Sequence, residues 1–218
     1  MANIYLLRHG KVDGEAALYG HTDVPVTPAT NEKINQDFTA FCQRKNITID
    51  HMVTSPLIRC LSLAQLIASS RSLAAPKALD AIKEMNFGQY DGVPFDALHQ
   101  QPEHWQVLEK FWQDPVQQSL PEAELLTGFS YRVSHAWQQL VEQARHLEQN
   151  TLVVCHGGVI RMILAHVLNV DFRNPLWYTQ LSIGNGSLTT IEVKENDTRV
   201  KHIAKPLDGF STASEQVA

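Results

Sequence analysis

The sequence is poor in cysteine and contains no pattern that would use it. Its 218 residues include three cysteines, Cys42, Cys60 and Cys155, and none of them is spaced as Cys-x-x-Cys. An odd number without such spacing argues against a disulfide framework. Two of the three fall in segments predicted to be buried, so we expect reduced core cysteines in a cytoplasmic protein.

Clusters of positive charge and long apolar runs are also missing. The net charge is −5 and the isoelectric point about 6.0, and no run is rich in Lys and Arg, so nothing indicates a nucleic-acid surface. The most apolar predicted helix, at about residues 159–168, is interrupted by Arg161 and His166 and is too short to cross a bilayer. The sequence also begins with a strand rather than with a secretory signal. We therefore predict neither a nucleic-acid nor a membrane partner.

The histidines offer no metal-ligand spacing. Seven of the ten are assigned to the core or the surface: His51, His99, His104, His135, His146, His166 and His202. We accordingly expect no metal and no other cofactor.

What the sequence does contain is a pair of apolar segments that each end in histidine and glycine. Residues 4–7 predict a short buried strand that leads into Arg8-His9-Gly10. Residues 151–155 predict a second strand, which leads into His156-Gly157-Gly158 and an amphipathic helix. Ligands of open α/β sheets bind at the carboxyl ends of strands, so the two imidazoles should lie side by side there. Glycines and a helix N-terminus at that edge indicate a phosphate site, whereas Arg-His-Gly alone would favour a solvated turn.

These two motifs resemble those of the histidine phosphatase superfamily, also called the phosphoglycerate mutase-like family. Two further motifs occur in the family's order, one around Arg59 in residues 54–60 and one that begins at Glu84 and ends at Gly92. The resemblance extends over residues 4–168. It implies a three-layer α/β/α sandwich with a mostly parallel central sheet.

The same resemblance implies one domain over residues 1–218. A small helical cap would be inserted at about residues 94–126, a stretch rich in proline, glutamine and tryptophan. The tail from about residue 206 is small and polar, and we expect it to fray.

The site residues follow from the resemblance as well. His9 would attack phosphorus, and Glu84 would protonate the leaving alcohol, which requires a carboxyl kept protonated in a confined site. The groups expected to bind the phosphate of a small-molecule phosphomonoester are Arg8, Arg59, His156 and Gly157. The alternatives are a solvated loop acid for Glu84 and an ordinary surface arginine for Arg59.

The loop after Arg-His-Gly departs from the family pattern. Val12 and Glu15 stand where a Thr and an Asn are usual, and a carboxylate at position 15 would repel a phosphate unless it points away. The following Tyr-Gly-His-Thr-Asp-Val-Pro stretch is instead similar to the α-ribazole-phosphate phosphatase branch, with Tyr19 and His21 as candidate substrate contacts. A plain turn capped by Asp23 is the alternative.

The favoured activity is therefore that of an α-ribazole 5′-phosphate phosphatase in cobalamin biosynthesis. A broad-specificity sugar or metabolite phosphatase is the second choice. A phosphoglycerate mutase comes third, because the chain is short and the Glu84 segment departs from the mutase pattern. A silent phosphate-binding module would predict loss of His9, Arg59, Glu84 or His156, and all four are present. The sequence is compatible with a monomer or a homodimer.

Overall fold

The structure, a computed structural model that describes residues 2–208, contains one mixed sheet of six strands. The strands are β1 (Ala2–Arg8), β2 (His51–Thr54), β3 (Lys77–Ala78), β4 (Thr151–Cys155), β5 (Leu188–Val193) and β6 (Thr198–Lys205). Their order across the sheet is β3-β2-β4-β1-β5-β6. The first four run parallel, whereas β5 runs antiparallel to both of its neighbours. The mostly parallel sheet is therefore confirmed, and β5 and β6 form an antiparallel pair at its edge.

Seven α-helices occur in the same residues. They are α1 (Pro28–Lys45), α2 (Ile58–Ser70), α3 (Phe95–His99), α4 (Pro102–Gln113), α5 (Leu126–Leu147), α6 (Gly157–Leu168) and α7 (Leu176–Thr179). Two 3₁₀ turns, Asp80–Ile82 and Gly88–Tyr90, flank the segment that carries Glu84. The predicted cap region contains α3 and α4. Within the described residues, no helix has both the length and the apolarity needed to span a membrane.

The strands direct alternate side chains to two opposite hydrophobic layers, as the two-residue period of a strand requires. On β1, Tyr5 and Leu7 pack with the buried faces of α1 and α2. The intervening Ile4 and Leu6 pack with α5 and α6 on the other face. The α/β/α sandwich is thus confirmed, and its two helical layers fix the position of the strand ends between them.

Two helices are capped in different ways. At α1 the hydroxyl of Thr27 accepts a hydrogen bond from the Thr30 N–H, and Pro28 is the first residue of the helix. At α2 the helix begins at Ile58, and the side chain of its N-cap residue Leu57 makes no hydrogen bond to it. Instead, a carboxylate oxygen of Asp23 accepts the Ile58 N–H at 2.8 Å. A loop far away in sequence therefore caps this helix.

The cysteines and the end of the chain also bear on the sequence predictions. Cys42, Cys60 and Cys155 are all buried and form no disulfide, which confirms reduced core cysteines. Near the end of the described residues, Leu207 is buried and its carbonyl accepts a hydrogen bond from Arg44 at 3.1 Å. The remainder of the tail predicted to fray, residues 209–218, lies outside the described residues.

Candidate active site

A cavity of about 700 Å³ opens where β1 and β4 end. Because these strands are parallel and pair Arg8 with Cys155, their carboxyl ends lie next to each other. His9 from the first strand end and Gly157 and Gly158 from the second line the cavity, and Glu84 lines it too. Three of the four sequence motifs thus contribute lining residues to one cavity.

His9 is almost buried, at 6 % exposed, and its backbone N–H donates to the Cys155 carbonyl. Its Nδ1 lies 2.7 Å from the carbonyl oxygen of Gly10. A carbonyl oxygen only accepts, so the proton of the neutral ring belongs on Nδ1 and the lone pair on Nε2. Burial, together with the charges of Arg59 and Arg8, lowers the pKa of His9 to about 3. The imidazole is therefore neutral across the physiological pH range.

His156 lies directly behind His9, with the ring centroids 5.1 Å apart. It is fully buried, and its Nδ1 accepts a hydrogen bond from Arg59 Nε at 3.2 Å, which leaves the proton on Nε2. Burial first, then His9 and Arg59, lower its pKa well below the ordinary value. His156 occupies the N-cap position of α6 without a capping bond from its side chain, and it lies outside the set of described residues that line the cavity.

Arg59 is also fully buried and lies outside the same lining set. Besides its bond to His156, its guanidinium donates to three carbonyl oxygens, those of Tyr19, Gly20 and Thr22, at 3.0, 2.6 and 3.1 Å. Asp23 lies 4.0 Å from the same guanidinium. The predicted phosphate ligand is therefore tied to the loop after β1, and in this structure its donors serve that loop.

Arg8 and Arg161 bring positive charge to the cavity, which Lys11 also lines, and sequence reasoning did not identify Arg161. A β-carbon on Gly157 would lie 3.3 Å from Arg8 Nε and 3.6 Å from Arg161 Nη1, so both guanidiniums lie close to the start of α6. Burial lowers the pKa of each, and the nearby Glu84 opposes this shift. Among the described residues, Arg8 Nε is a buried donor without a partner. An oxyanion at the start of α6 would satisfy it.

The spacing of Arg161 from Gly157 in the sequence could have identified it as a residue of the site. It follows Gly157 by four residues, and positions i and i+4 of a helix share one face. Its Nε donates to the Leu181 carbonyl at 3.0 Å, which holds the side chain against the cavity.

Glu84 lies beside the start of α6 and is bound through both carboxylate oxygens. One oxygen accepts the Gly158 N–H at 2.9 Å and the other accepts the Met85 N–H at 3.0 Å. A β-carbon on residue 158 would lie 2.2 Å from Glu84 Oε1. Only glycine at this position leaves room for the carboxylate beside the helix.

The loop between β1 and α1 lines one side of the cavity. Tyr19 and Glu15 are both lining residues, and the Tyr19 hydroxyl donates to the Glu15 carbonyl at 2.8 Å. His21 is exposed and does not belong to the described lining residues, because its N–H turns toward Asp91. Asp91 also accepts the N–H groups of Gly20 and Thr22. The structure thus brings Tyr19 to the cavity and leaves His21 outside it.

The far wall of the cavity is apolar and largely aromatic. It consists of Met85, Phe87, Phe111, Trp112, Pro115, Leu126 and Phe129. Phe111 and Trp112 come from α4, in the region predicted to form a cap. The cavity therefore has a cationic end and a wall suited to a flat apolar group.

No group of three or more His, Cys, Asp or Glu side chains in residues 2–208 is placed to hold a metal ion. The charge on a bound anion would be met by guanidinium groups and backbone N–H groups.

Comparison with known proteins agrees with this geometry. The family described as "Histidine phosphatase superfamily (branch 1)" matches residues 4–206. A protein named "Probable phosphoglycerate mutase GpmB" from Shigella boydii serotype 18 is 26 % identical over 202 residues, which cover 90 % of this chain and 87 % of the relative. Bacillus stearothermophilus YhfR has a similar structure, with a TM-score of 0.80, 21 % identity and coverage of 94 % and 98 % of the two chains. The α-ribazole phosphatase from Shigella flexneri gives a TM-score of 0.74 at 22 % identity, with coverage of 93 % and 96 %.

Proposed function

Because the chain belongs to the histidine phosphatase superfamily, we propose that it hydrolyses phosphomonoesters through a phosphohistidine formed on His9. The observation that carries this proposal is the state of the His9 ring. It is neutral, its Nδ1 proton is bound to the Gly10 carbonyl, and its Nε2 lone pair is left for attack on phosphorus.

The cationic end of the cavity supports the same chemistry. In the proposed reaction, Arg8, Arg161 and the Gly157 N–H at the start of α6 bind the oxygens of the transferred phosphoryl group. Neutralising those oxygens is the main electrostatic demand of phosphoryl transfer. Arg59 then has an indirect part, because it holds His156 and the loop after β1.

Glu84 is proposed as the proton donor. A phosphomonoester's alkoxide is a poor leaving group, so the carboxyl gives its proton to the ester oxygen while the P–O bond breaks and the P–N bond to His9 forms. The resulting carboxylate then takes a proton from the water that attacks phosphohistidine. That second step releases inorganic phosphate and returns both residues to their starting states.

For the organic half of the substrate we propose α-ribazole 5′-phosphate. Two observations support it. The aromatic wall formed by Phe111, Trp112 and their neighbours fits the flat apolar benzimidazole ring, and Tyr19, the first residue of the Tyr-Gly-His-Thr-Asp-Val-Pro stretch, also lines the cavity. A broad-specificity phosphatase would share the same cationic end.

A phosphoglycerate mutase is the second candidate, because the curated relatives carry that name. A mutase must hold a small, doubly anionic glycerate while it returns the phosphoryl group to a second hydroxyl. The wall opposite the phosphate end offers mainly apolar side chains to such a group. We therefore favour hydrolysis over transfer.

The deciding experiment measures phosphate release, without added metal, from α-ribazole 5′-phosphate, a panel of sugar phosphates and 3-phosphoglycerate. His9→Ala is the control. Transfer of isotopically labelled phosphate from the substrate to the protein detects phosphohistidine. We expect transient label on the wild type, none on His9→Ala, and a preference for α-ribazole 5′-phosphate. Equal rates across the panel would refute the proposed substrate. Interconversion of phosphoglycerates would favour the mutase, and absence of label would refute the phosphohistidine route.

A further inference from the structure

The segment that carries Glu84 has no regular secondary structure of its own. It lies between the two 3₁₀ turns, and residues 83–87 belong to neither a helix nor a strand. Its backbone carbonyls therefore need partners from elsewhere in the molecule. Its position relative to the strand ends depends on what those partners are.

Several of these carbonyls are bound by one side chain, Arg132, on the second turn of α5. Its Nη1 donates to the carbonyls of Ala81 and Lys83 at 2.9 and 2.8 Å. Its Nη2 donates to the carbonyl of Glu84 itself at 3.0 Å. One guanidinium thus binds three of the four carbonyls of residues 81–84, the last of them that of the proposed proton donor itself.

The remaining donors of Arg132 bind the carboxylate of Glu124. Nε and Nη2 contact the two oxygens of Glu124 at 2.6 and 2.8 Å. An arginine has five N–H donors, and here each of the five has an acceptor. Such a fork has a fixed orientation, which a lysine could not reproduce.

Glu124 extends the connection to the far side of the segment. Its N–H donates to the Asn86 carbonyl at 2.9 Å, and one of its carboxylate oxygens accepts the Asn86 N–H at 3.4 Å. The guanidinium carbon of Arg132 lies 4.8 Å from the ring centroid of Phe129, a cavity-lining residue. The pair is only about one-fifth exposed, at 22 % and 20 % of the two side chains.

From these contacts we propose that Arg132, oriented by Glu124, is a positioning residue for Glu84. The inference rests on the proposed role of Glu84 as proton donor. Arg132 makes no contribution to binding the phosphate in this scheme. It fixes the backbone from which the Glu84 carboxyl reaches Gly158 and the leaving oxygen.

The test compares two esters of similar size, phenyl phosphate and p-nitrophenyl phosphate. Phenolate is the poorer leaving group, so its departure depends more on a proton from Glu84. The quantity to measure is kcat/KM, which reports the steps up to formation of phosphohistidine. The variants are Arg132→Lys, Glu124→Gln, Glu84→Gln and the combination of Arg132→Lys with Glu84→Gln.

We expect Arg132→Lys to reduce kcat/KM for phenyl phosphate about tenfold more than for p-nitrophenyl phosphate. Glu124→Gln should shift the ratio of kcat/KM for the two esters in the same direction. Arg132→Lys should not shift this ratio further once Glu84 is replaced by Gln. Arg145→Lys is the matched control, because Arg145 lies on the same helix and donates to the Lys194 carbonyl. It should leave the ratio unchanged.

Equal losses for both esters in Arg132→Lys, or no loss for either, would overturn the inference while leaving the proposed function intact. If Glu84→Gln itself fails to discriminate between the esters, the proposed role of Glu84 is wrong and the inference falls with it. Circular dichroism checks that Arg132→Lys is folded. If it is not, the shift expected of Glu124→Gln decides the question.

Discussion

Replacing His9 with asparagine should make the protein less sensitive to acid. Burial, Arg59 and Arg8 lower the pKa of His9 from 6.5 to about 3, so the folded protein binds one proton fewer than the unfolded chain between these values. Stability is therefore lost as the pH falls below 6.5, at about 1.4 kcal/mol per pH unit once the unfolded imidazole is fully charged. Integrated from pH 8 to pH 5, this amounts to about 2 kcal/mol from His9 alone. An asparagine amide can donate to the Gly10 carbonyl in place of Nδ1 and takes up no proton.

The assay is urea unfolding of the wild type and His9→Asn at pH 8, 7, 6 and 5. The contributions of the carboxylates cancel in the difference between the two proteins, provided that both give the same m-value. We expect the wild type to lose about 2 kcal/mol more than the variant by pH 5. Parallel losses would mean that folded His9 takes up a proton in this range, and the neutral nucleophile inferred from the structure would then be wrong.

Three further substitutions test other parts of the site. Gly158→Ala should displace the Glu84 carboxylate, whose Oε1 lies 2.2 Å from the added β-carbon, and lower phosphatase activity at least tenfold while urea unfolding changes by less than about 1 kcal/mol. Asp91→Asn weakens the acceptor of four loop N–H groups and should cost about 2 kcal/mol in unfolding free energy and raise KM. Trp112→Ala should raise KM about tenfold for α-ribazole 5′-phosphate and leave KM for glycerol phosphate unchanged, as steady-state kinetics would report.

The sheet edge could be predicted from sequence because its geometry follows from local patterns. Two short apolar runs predict buried strands, and parallel pairing alone brings their carboxyl ends together. Arg8 and His9 on one end, and His156 and Gly157 on the other, therefore had to be neighbours. The register that pairs Arg8 with Cys155 agrees with this expectation.

Side-chain direction could not be predicted in the same way. Arg59 was expected to bind an anion because it occupies the first turn of α2, yet its donors reach three carbonyls of a loop some forty positions earlier in the chain. That loop has no periodic pattern, and its path is set by Asp91 and by Asp23, which caps α2. Such contacts join segments that are far apart in the sequence, so no local sequence pattern predicts them.

The same contrast explains why the reaction is easier to infer from this sequence than the substrate. Apart from Glu84, the groups proposed to act at phosphorus lie at the end of β1 or on α6: Arg8, His9, Gly157 and Arg161. Regular secondary structure there determines which residues are neighbours. The groups that face the organic half, such as Phe87 and Trp112, come from irregular or separately packed segments between β3 and α5. Arg132 links the two, since it anchors the Glu84 segment to the helix that also supplies Phe129. Substitutions in the apolar wall can therefore change the substrate without moving the residues proposed to bind phosphate, provided that Arg132 is retained.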